Sequence, residues 1–389
     1  GLAYLGVLLS TLLPNSELIT PPSAHGLDRH TASEIVALIV VLIKGASDRE
    51  ESDHILGRFG FSLRDDLDIV TILSEIMELE LLAFIDQTVH EGSLQLLIAC
   101  IDFFDALVAY TPERTWSWLS RSSLLGINAG VSALVAVVSG VEVRVGQYGF
   151  LNSCIRLYES ILDDATYGVV KRKPKPDALQ PRRRFDSPME TPEQTPERTI
   201  SLVLAAYTRI AQDVLLNLNE WGFGILEEKA IVVTRLCNAF NGLLTASYGI
   251  DPDVNGDKKL TDVLSVAATT QTVSDFVLAP LSTVLAQGVE VNETSLVPAQ
   301  QGMIESQTIS VCKYLTTVIR TLKLRSGTAG SLPTQLIKLT PLLTTLLAAR
   351  QSYRQPIAEL LAELLTPAAA DNTELPSILG QLNRAESKS

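Results

Sequence analysis

The stretch from Leu67 to Ile85, LDIVTILSEIMELELLAFI, decides the fold. Leu67, Val70, Leu73, Met77, Leu81 and Phe84 follow one another at steps of three and four, with Ile85 beside the last. That spacing puts them on one stripe of a helix. Ile69, Ile72, Ile76 and Leu79 widen the stripe, so a long helix spanning Asp65 to Val89 is expected to bury one broad face.

The same spacing recurs along nearly the whole chain, whereas strand alternation is almost absent. The clearest strand candidate, Val141-Glu-Val-Arg-Val145, is short and solitary. Thr111-Pro112-Glu113 and Thr195-Pro196-Glu197 each place a capping hydroxyl before a proline at the first helical position, with an acid in the first turn. Both predict helix starts. The pentapeptide TPERT occurs at both, but the residues that follow do not match, so it reads as shared capping chemistry and not as a repeat. Pro280 is expected to end or kink a helix, and Pro333, Pro341 and Pro356 to punctuate the C-terminal third.

About fourteen to sixteen helices with short connections result, the rhythm of stacked helical hairpins. No fixed period argues for tetratricopeptide or ankyrin arrays. The expected fold is all-α: an α-solenoid of stacked antiparallel hairpins with degenerate HEAT- or armadillo-like repeats, whose core positions demand only apolar character, in a karyopherin-like superhelix. Residues 1–170 form a front block and 199–389 a rear block continuous with it. Between them 171–198, KRKPKPDALQPRRRFDSPMETPEQTPER, has six prolines and little apolar content and reads as a disordered loop. In it Ser187, Thr191 and Thr195, each before a proline, are candidate phosphorylation sites. Lys171-Arg-Lys173 with Arg182-Arg-Arg184 is similar to a two-part nuclear localisation signal.

Composition narrows the function classes. The chain has 389 residues, 46% hydrophobic and 19% charged, enough for a large core. It starts at Gly1 and holds three methionines, which suggests a piece of something longer. Net charge is −13; the 171–198 segment carries +3, which leaves an acidic body of −16. Nucleic-acid binding needs clustered positive charge, so a basic or apolar protein segment is the better partner. Cys100, Cys154, Cys237 and Cys312 stand singly in apolar contexts and read as small core residues in a reducing compartment. Two apolar stretches resemble membrane segments. Leu2 to Leu13 is too short and reads as a buried terminal helix, and Leu124 to Val141 reads as a central helix surrounded by neighbours, so no transmembrane segment is expected.

Candidate chemistry is sparse. Asp251, Asp253, Asn255 and Asp262 stand at positions one, three, five and twelve of a loop with Gly256 at six, close to a calcium loop. Lys258 at position eight, Asp in place of Glu at twelve and the missing sister loop favour a plain Asp/Asn/Gly turn. His25, His30, His54 and His90 form no ligand pair, and no nucleophile elbow, phosphate loop or dinucleotide pattern occurs. Asp65-Asp66 and Asp163-Asp164 point apart on a helix. Trp116, Trp118 and Trp221 read as helix packing before a partner patch. No catalytic residue, cofactor or metal site is expected.

On Tyr110-Thr-Pro-Glu-Arg-Thr-Trp116 through Leu125, the long Asp65–Val89 helix and the terminal Leu375-Pro-Ser-Ile-Leu-Gly-Gln-Leu-Asn-Arg384, the chain resembles the giant scaffold nucleoporins. It is most similar to the C-terminal tail of the fungal, roughly 188-kilodalton inner-ring class of α-solenoids. The resemblance implies a structural role in the nuclear pore complex at the nuclear envelope. The implied partners are a linker-nucleoporin helix and, through likeness to transport receptors, phenylalanine-glycine repeats. Rival readings are a soluble karyopherin-like receptor or helical-repeat adaptor, and a helical module that regulates an enzyme.

Overall fold

The computed structural model describes residues 1–13, 27–61, 63, 68–85, 93–128, 130–168, 196–248, 278–290, 298–326, 338–349 and 351–365. Among them there are fourteen helices, counting Ala133–Val145 as one, and no strand. The chain divides into two compact units, 1–144 with 148–207 and 145–147 with 208–389.

The first unit holds α1 (Leu2–Ser10), α2 (Arg29–Lys44), α3 (Arg49–Gly60), α4 (Ile69–Ile85), α5 (Leu94–Val108), α6 (Pro112–Arg121), α7 (Ala133–Val137, running on through the π turn Val138–Glu142) and α8 (Gly149–Asp163). Neighbours in sequence pack together, as α3 with α4, α4 with α5 and α5 with α6. Above this, α2, α5 and α8 lie side by side in one row, and α1, α3, α4 and α7 pack beneath it. Helix α5 is the centre: Leu96, Leu97, Cys100, Ile101, Phe103, Phe104 and Leu107 are all fully buried. A helix flanked on both sides has no polar face to spare, which is why its sequence is apolar nearly all round.

Local chemistry sets the helix starts. Asp28, Asp48 and Ser93 cap α2, α3 and α5 through side-chain oxygens that accept the N–H three residues on. In α6 Pro112 opens the helix as its sequence requires, but the Thr111 hydroxyl makes no capping bond. It is fully buried and unpartnered, so the expected cap is corrected: proline and the acid Glu113 carry this start.

Two further expectations fail here. Leu124–Val141 is not one helix. Gly126 (φ 66°) and Gly130 (φ 73°) take left-handed conformations in a tight turn, and a Cβ on Gly126 would fall 2.5 Å from the Val131 carbonyl carbon. The run is apolar because Leu124, Leu125, Leu134 and Val137 are buried, not because it is continuously helical. Val141–Val145, the strand candidate, is helical.

Helix α9 (Pro196–Asn217) contributes to the second unit from Thr208 on, with α10 (Leu226–Tyr248), α11 (Leu278–Glu290), α12 (Pro298–Ser326), α13 (Thr340–Ala349) and α14 (Arg354–Leu365). Here α12 packs against α10, α11 and α14, and α13 against α11 and α14. Pro280, Pro298, Pro341 and Pro356 all sit in the first turn of a helix. Pro280 therefore opens α11 instead of ending a helix, because the first-turn N–H groups have no partner within the helix for a proline to remove.

Among the described residues one helix, Thr199–Asn217, is long and apolar enough to cross a membrane. Val203, Leu204, Tyr207, Ile210, Val214 and Leu215 on it are buried, and 44% of that stretch is buried in all.

Candidate functional site

Five acids inside apolar helices build the polar joints of the first unit. Asp105 on α5 is buried, yet it serves three helices. Ser160 on α8 donates to it at 2.6 Å, Arg156 Nε of α8 stands 3.2 Å away, and Lys44 Nζ at the end of α2 stands 3.8 Å away. Arg156 also pairs with Asp102, one turn earlier on α5. The row α2, α5, α8 is thus stitched through one carboxylate, which keeps its charge compensated in a low-dielectric setting.

Glu80 of α4, also buried, accepts from Arg29 Nε at 2.7 Å and from the Ser93 N–H at 2.7 Å, just before α5. Glu78, on the same helix, accepts from the Ser122 hydroxyl and from the Ser123 N–H at 3.0 Å. Glu142 is 1% exposed and accepts from Phe150 and Leu151 N–H at 2.7 and 3.0 Å. These are the free donors of the first turn of α8, so the carboxylate caps a helix from outside it. The π turn within α7 carries Glu142.

The residues singled out from sequence are dispersed. Trp116 and Trp118 are buried: the indole N–H of Trp116 donates to Asp164 at 2.8 Å, and Trp118 stacks on Phe104 at 3.8 Å between centroids. Trp221 is half-buried. His30 and His54 are exposed, and His30 stands 3.3 Å from Gln95 and 3.6 Å from Glu34. Asp163 and Asp164 have separate environments, burial raising the Asp163 carboxyl while Asp164 accepts from Trp116. Asp251, Asp253, Asn255 and Asp262 lie outside the described residues, as do Ser187, Thr191, Thr195, His25, His90, Asp65 and Asp66. Among the described residues no three His, Cys, Asp or Glu side chains are grouped to hold a metal.

All four cysteines are buried and free. Burial pushes every thiol up, Cys312 to about 12. A thiol held that far above neutrality supplies no thiolate for catalysis. Several large apolar side chains are exposed, among them Leu38 and Val41 on α2, Leu79 and Leu82 on α4, Val135 on α7 and Met303 on α12.

The joints are hard to see in the sequence because the acids sit singly or in pairs within apolar runs: Glu78 and Glu80 in Met77-Glu-Leu-Glu-Leu81, Asp102 and Asp105 in Ile101-Asp-Phe-Phe-Asp105, Glu142 between valines. A charge on an otherwise apolar helix is the available signal. Its partner is not, since it arrives from 54 or 55 residues away for the α5–α8 pairs.

Comparison with known proteins bears on this arrangement. The family profile described as "Nucleoporin Nup188, N-terminal subdomain III" matches residues 1–180 and 185–389. Nucleoporin NUP188 of Chaetomium thermophilum is 26% identical over 416 residues, covering 100% of this chain and 21% of the relative. The chain thus spans about a fifth of the length of that relative. Among solved structures, an engineered protein aligns over 100% of this chain and 99% of its own at 12% identity, with a TM-score of 0.20, too low to bear on the fold. The chain belongs to the Nup188 family of nucleoporins, a non-enzymatic family of the nuclear pore complex. Its place within that family corrects the expectation of a C-terminal tail: the match is to the third subdomain of the N-terminal part.

Proposed function

We propose that this Nup188-family chain is a load-sharing piece of the inner-ring scaffold of the nuclear pore, in a fungal protein, and holds partner nucleoporin segments on its helical surface. The observation that carries the reading is the family match across both units, joined to helix faces that expose Leu38, Val41, Leu79 and Leu82. An amphipathic linker-nucleoporin helix lays its apolar side on such faces, and single aromatics such as those of phenylalanine-glycine repeats fit between helices. Segment 171–198, with its basic clusters and Ser187, Thr191 and Thr195, serves targeting or regulation in this reading, on the strength of its sequence.

The test is retention of nucleoporins from nuclear-envelope extract on the immobilised chain, washed at low salt and then at about 1 M salt, where screening leaves apolar contacts intact. A nucleoporin held through the second wash, and lost with Leu38→Glu/Val41→Glu or Leu79→Glu/Leu82→Glu, is the expected result. Recovery of only salt-labile basic cargo would replace the scaffold with the transport receptor.

A further inference from the structure

The turn between α2 and α3 carries chemistry that neither the packing nor the scaffold reading uses. Ala46 is buried, and its carbonyl accepts from the Tyr110 hydroxyl at 2.6 Å. The next five residues, Ser47-Asp-Arg-Glu-Glu51, are all exposed. Ser47 donates twice to Glu51 Oε2, from its N–H and from its hydroxyl, each at 2.7 Å. Asp48 caps α3 by accepting from the Glu51 N–H at 2.8 Å. Arg49 reaches across to Glu113 on α6 at 2.5 Å and stands 3.7 Å from Asp53.

Ser47 therefore presents a solvent-facing hydroxyl followed by acids one, three and four residues on. Protein kinases discriminate among serines by the charge pattern around them, and a basic substrate groove selects acids at these offsets. The segment lies at a helix end, which opens more readily than a helix interior and so can extend into such a groove.

We propose that Ser47 is the phosphate acceptor for an acid-directed serine/threonine kinase, and that its modification resets the junction of α2, α3 and α6. In the transfer Ser47 Oγ forms a bond to the γ-phosphorus of ATP while the bond from that phosphorus to the β,γ-bridging oxygen breaks. ADP leaves, and the hydroxyl proton passes to the base of the kinase. The product places a charge of about −2 where a donor stood. Glu51 then faces a repelling phosphate instead of a hydroxyl, and its Oε2 leaves the turn. Arg49, the cation of this turn, is drawn toward the phosphate and away from Glu113, because a phosphate with three acceptor oxygens competes well against one exposed carboxylate. The same exchange weakens the link from α3 to α6.

The experiment treats the purified chain with an acid-directed casein kinase and ATP, maps the phosphate by mass spectrometry, and follows amide exchange before and after. Expected are phosphate at Ser47, a rate of labelling there lowered about tenfold by Glu50→Gln, which leaves the Ser47–Glu51 bonds in place, and exchange several-fold faster at the starts of α3 and α6. The acceptor assignment is overturned if a synthetic peptide of residues 43–54 is labelled while Ser47 of the folded chain is not, or if Glu50→Gln leaves the rate unchanged. Unchanged exchange after stoichiometric labelling overturns the proposed reset. Ser47→Ala serves only to confirm the mapped position, so a fold defect in that variant does not affect the reading.

Discussion

The two units bury polar groups in opposite ways. In the first, the buried set includes the carboxylates of Glu80, Asp105 and Glu142, each bonded to another helix or to the connection leading into one. In the second, the described buried polar side chains are hydroxyls and one amide: Thr208, Gln307, Thr308, Ser310, Thr316, Thr321 and Thr340. Several of these satisfy themselves, since Thr308 and Thr316 donate to the carbonyls of Ile304 and Cys312 at 2.8 Å, one turn back on the same helix. Polar pairs between its helices include Thr317–Asn241, Arg320–Glu363 at 2.8 Å and Gln300–Glu227 at 2.7 Å, none of them between fully buried side chains.

The difference matters for register. A carboxylate shared by α2, α5 and α8 is satisfied in one alignment of those helices, so sliding any of them exposes a buried charge. A threonine bonded to its own helix is indifferent to where the neighbour sits, which leaves register to the fit of apolar side chains. The first unit should thus be the more specified of the two, and the second the more tolerant of substitution at polar positions.

Substitutions can break this contrast, beginning with the largest effect. Asp105→Ala takes the acceptor from Ser160 and one of two carboxylates from Arg156, which keeps Asp102, and is expected to cost about 3 kcal/mol, seen as an early denaturant transition and fast amide exchange confined to the first unit. Glu142→Ala leaves the Phe150 and Leu151 N–H groups buried without acceptors; about 2 kcal/mol should be lost, with exchange rising first at the start of α8. Thr316→Val in the second unit, buried as deeply as these acids, should shift stability by less than about 1 kcal/mol, because only a bond within its own helix is removed. A loss as large as that of Asp105→Ala would erase the distinction between the units.

The smallest effect is set by pH at the exposed caps of the first unit. Hydrogen bonds from Thr31 hold the Asp28 carboxyl below its ordinary 3.8, and those from Ser47 hold Glu51 below 4.5. A carboxyl lowered by folding stabilises the folded state above its ordinary value, and that contribution fades as pH falls through the lowered value. Amides at the starts of α2 and α3 should therefore gain exchange beyond the intrinsic trend below about pH 4, while those of α13 in the second unit, a helix without an acid, do not.

How far these features could be read in advance varies by residue. The stripe Val70, Leu73, Met77, Leu81 is periodic, and the structure buries all four on α4. The first-helical-position prolines at 112 and 196 open helices as their missing N–H dictates. Leu124–Val141 failed because hydropathy reports burial and is silent on φ, and two left-handed glycines break the run. Thr111 failed because its position before Pro112 is necessary for a cap but does not aim the hydroxyl. Membership of the nucleoporin family was legible in the texture of the whole chain, but position within that family was not, since apolar spacing is common to every part of a helical array.

What the sequence determined by itself is local: an all-helical chain, the helix starts at Pro112 and Pro196, and apolar faces such as that of α4. These follow from steric and hydrogen-bonding rules that act within a few residues. Only the tertiary structure decided that Asp105 meets Lys44, Arg156 and Ser160, that Glu142 caps α8, and that α2, α5 and α8 share a row. Those choices depend on which apolar faces fit together across tens of residues, and the fit is a property of the packed shape rather than of any one segment.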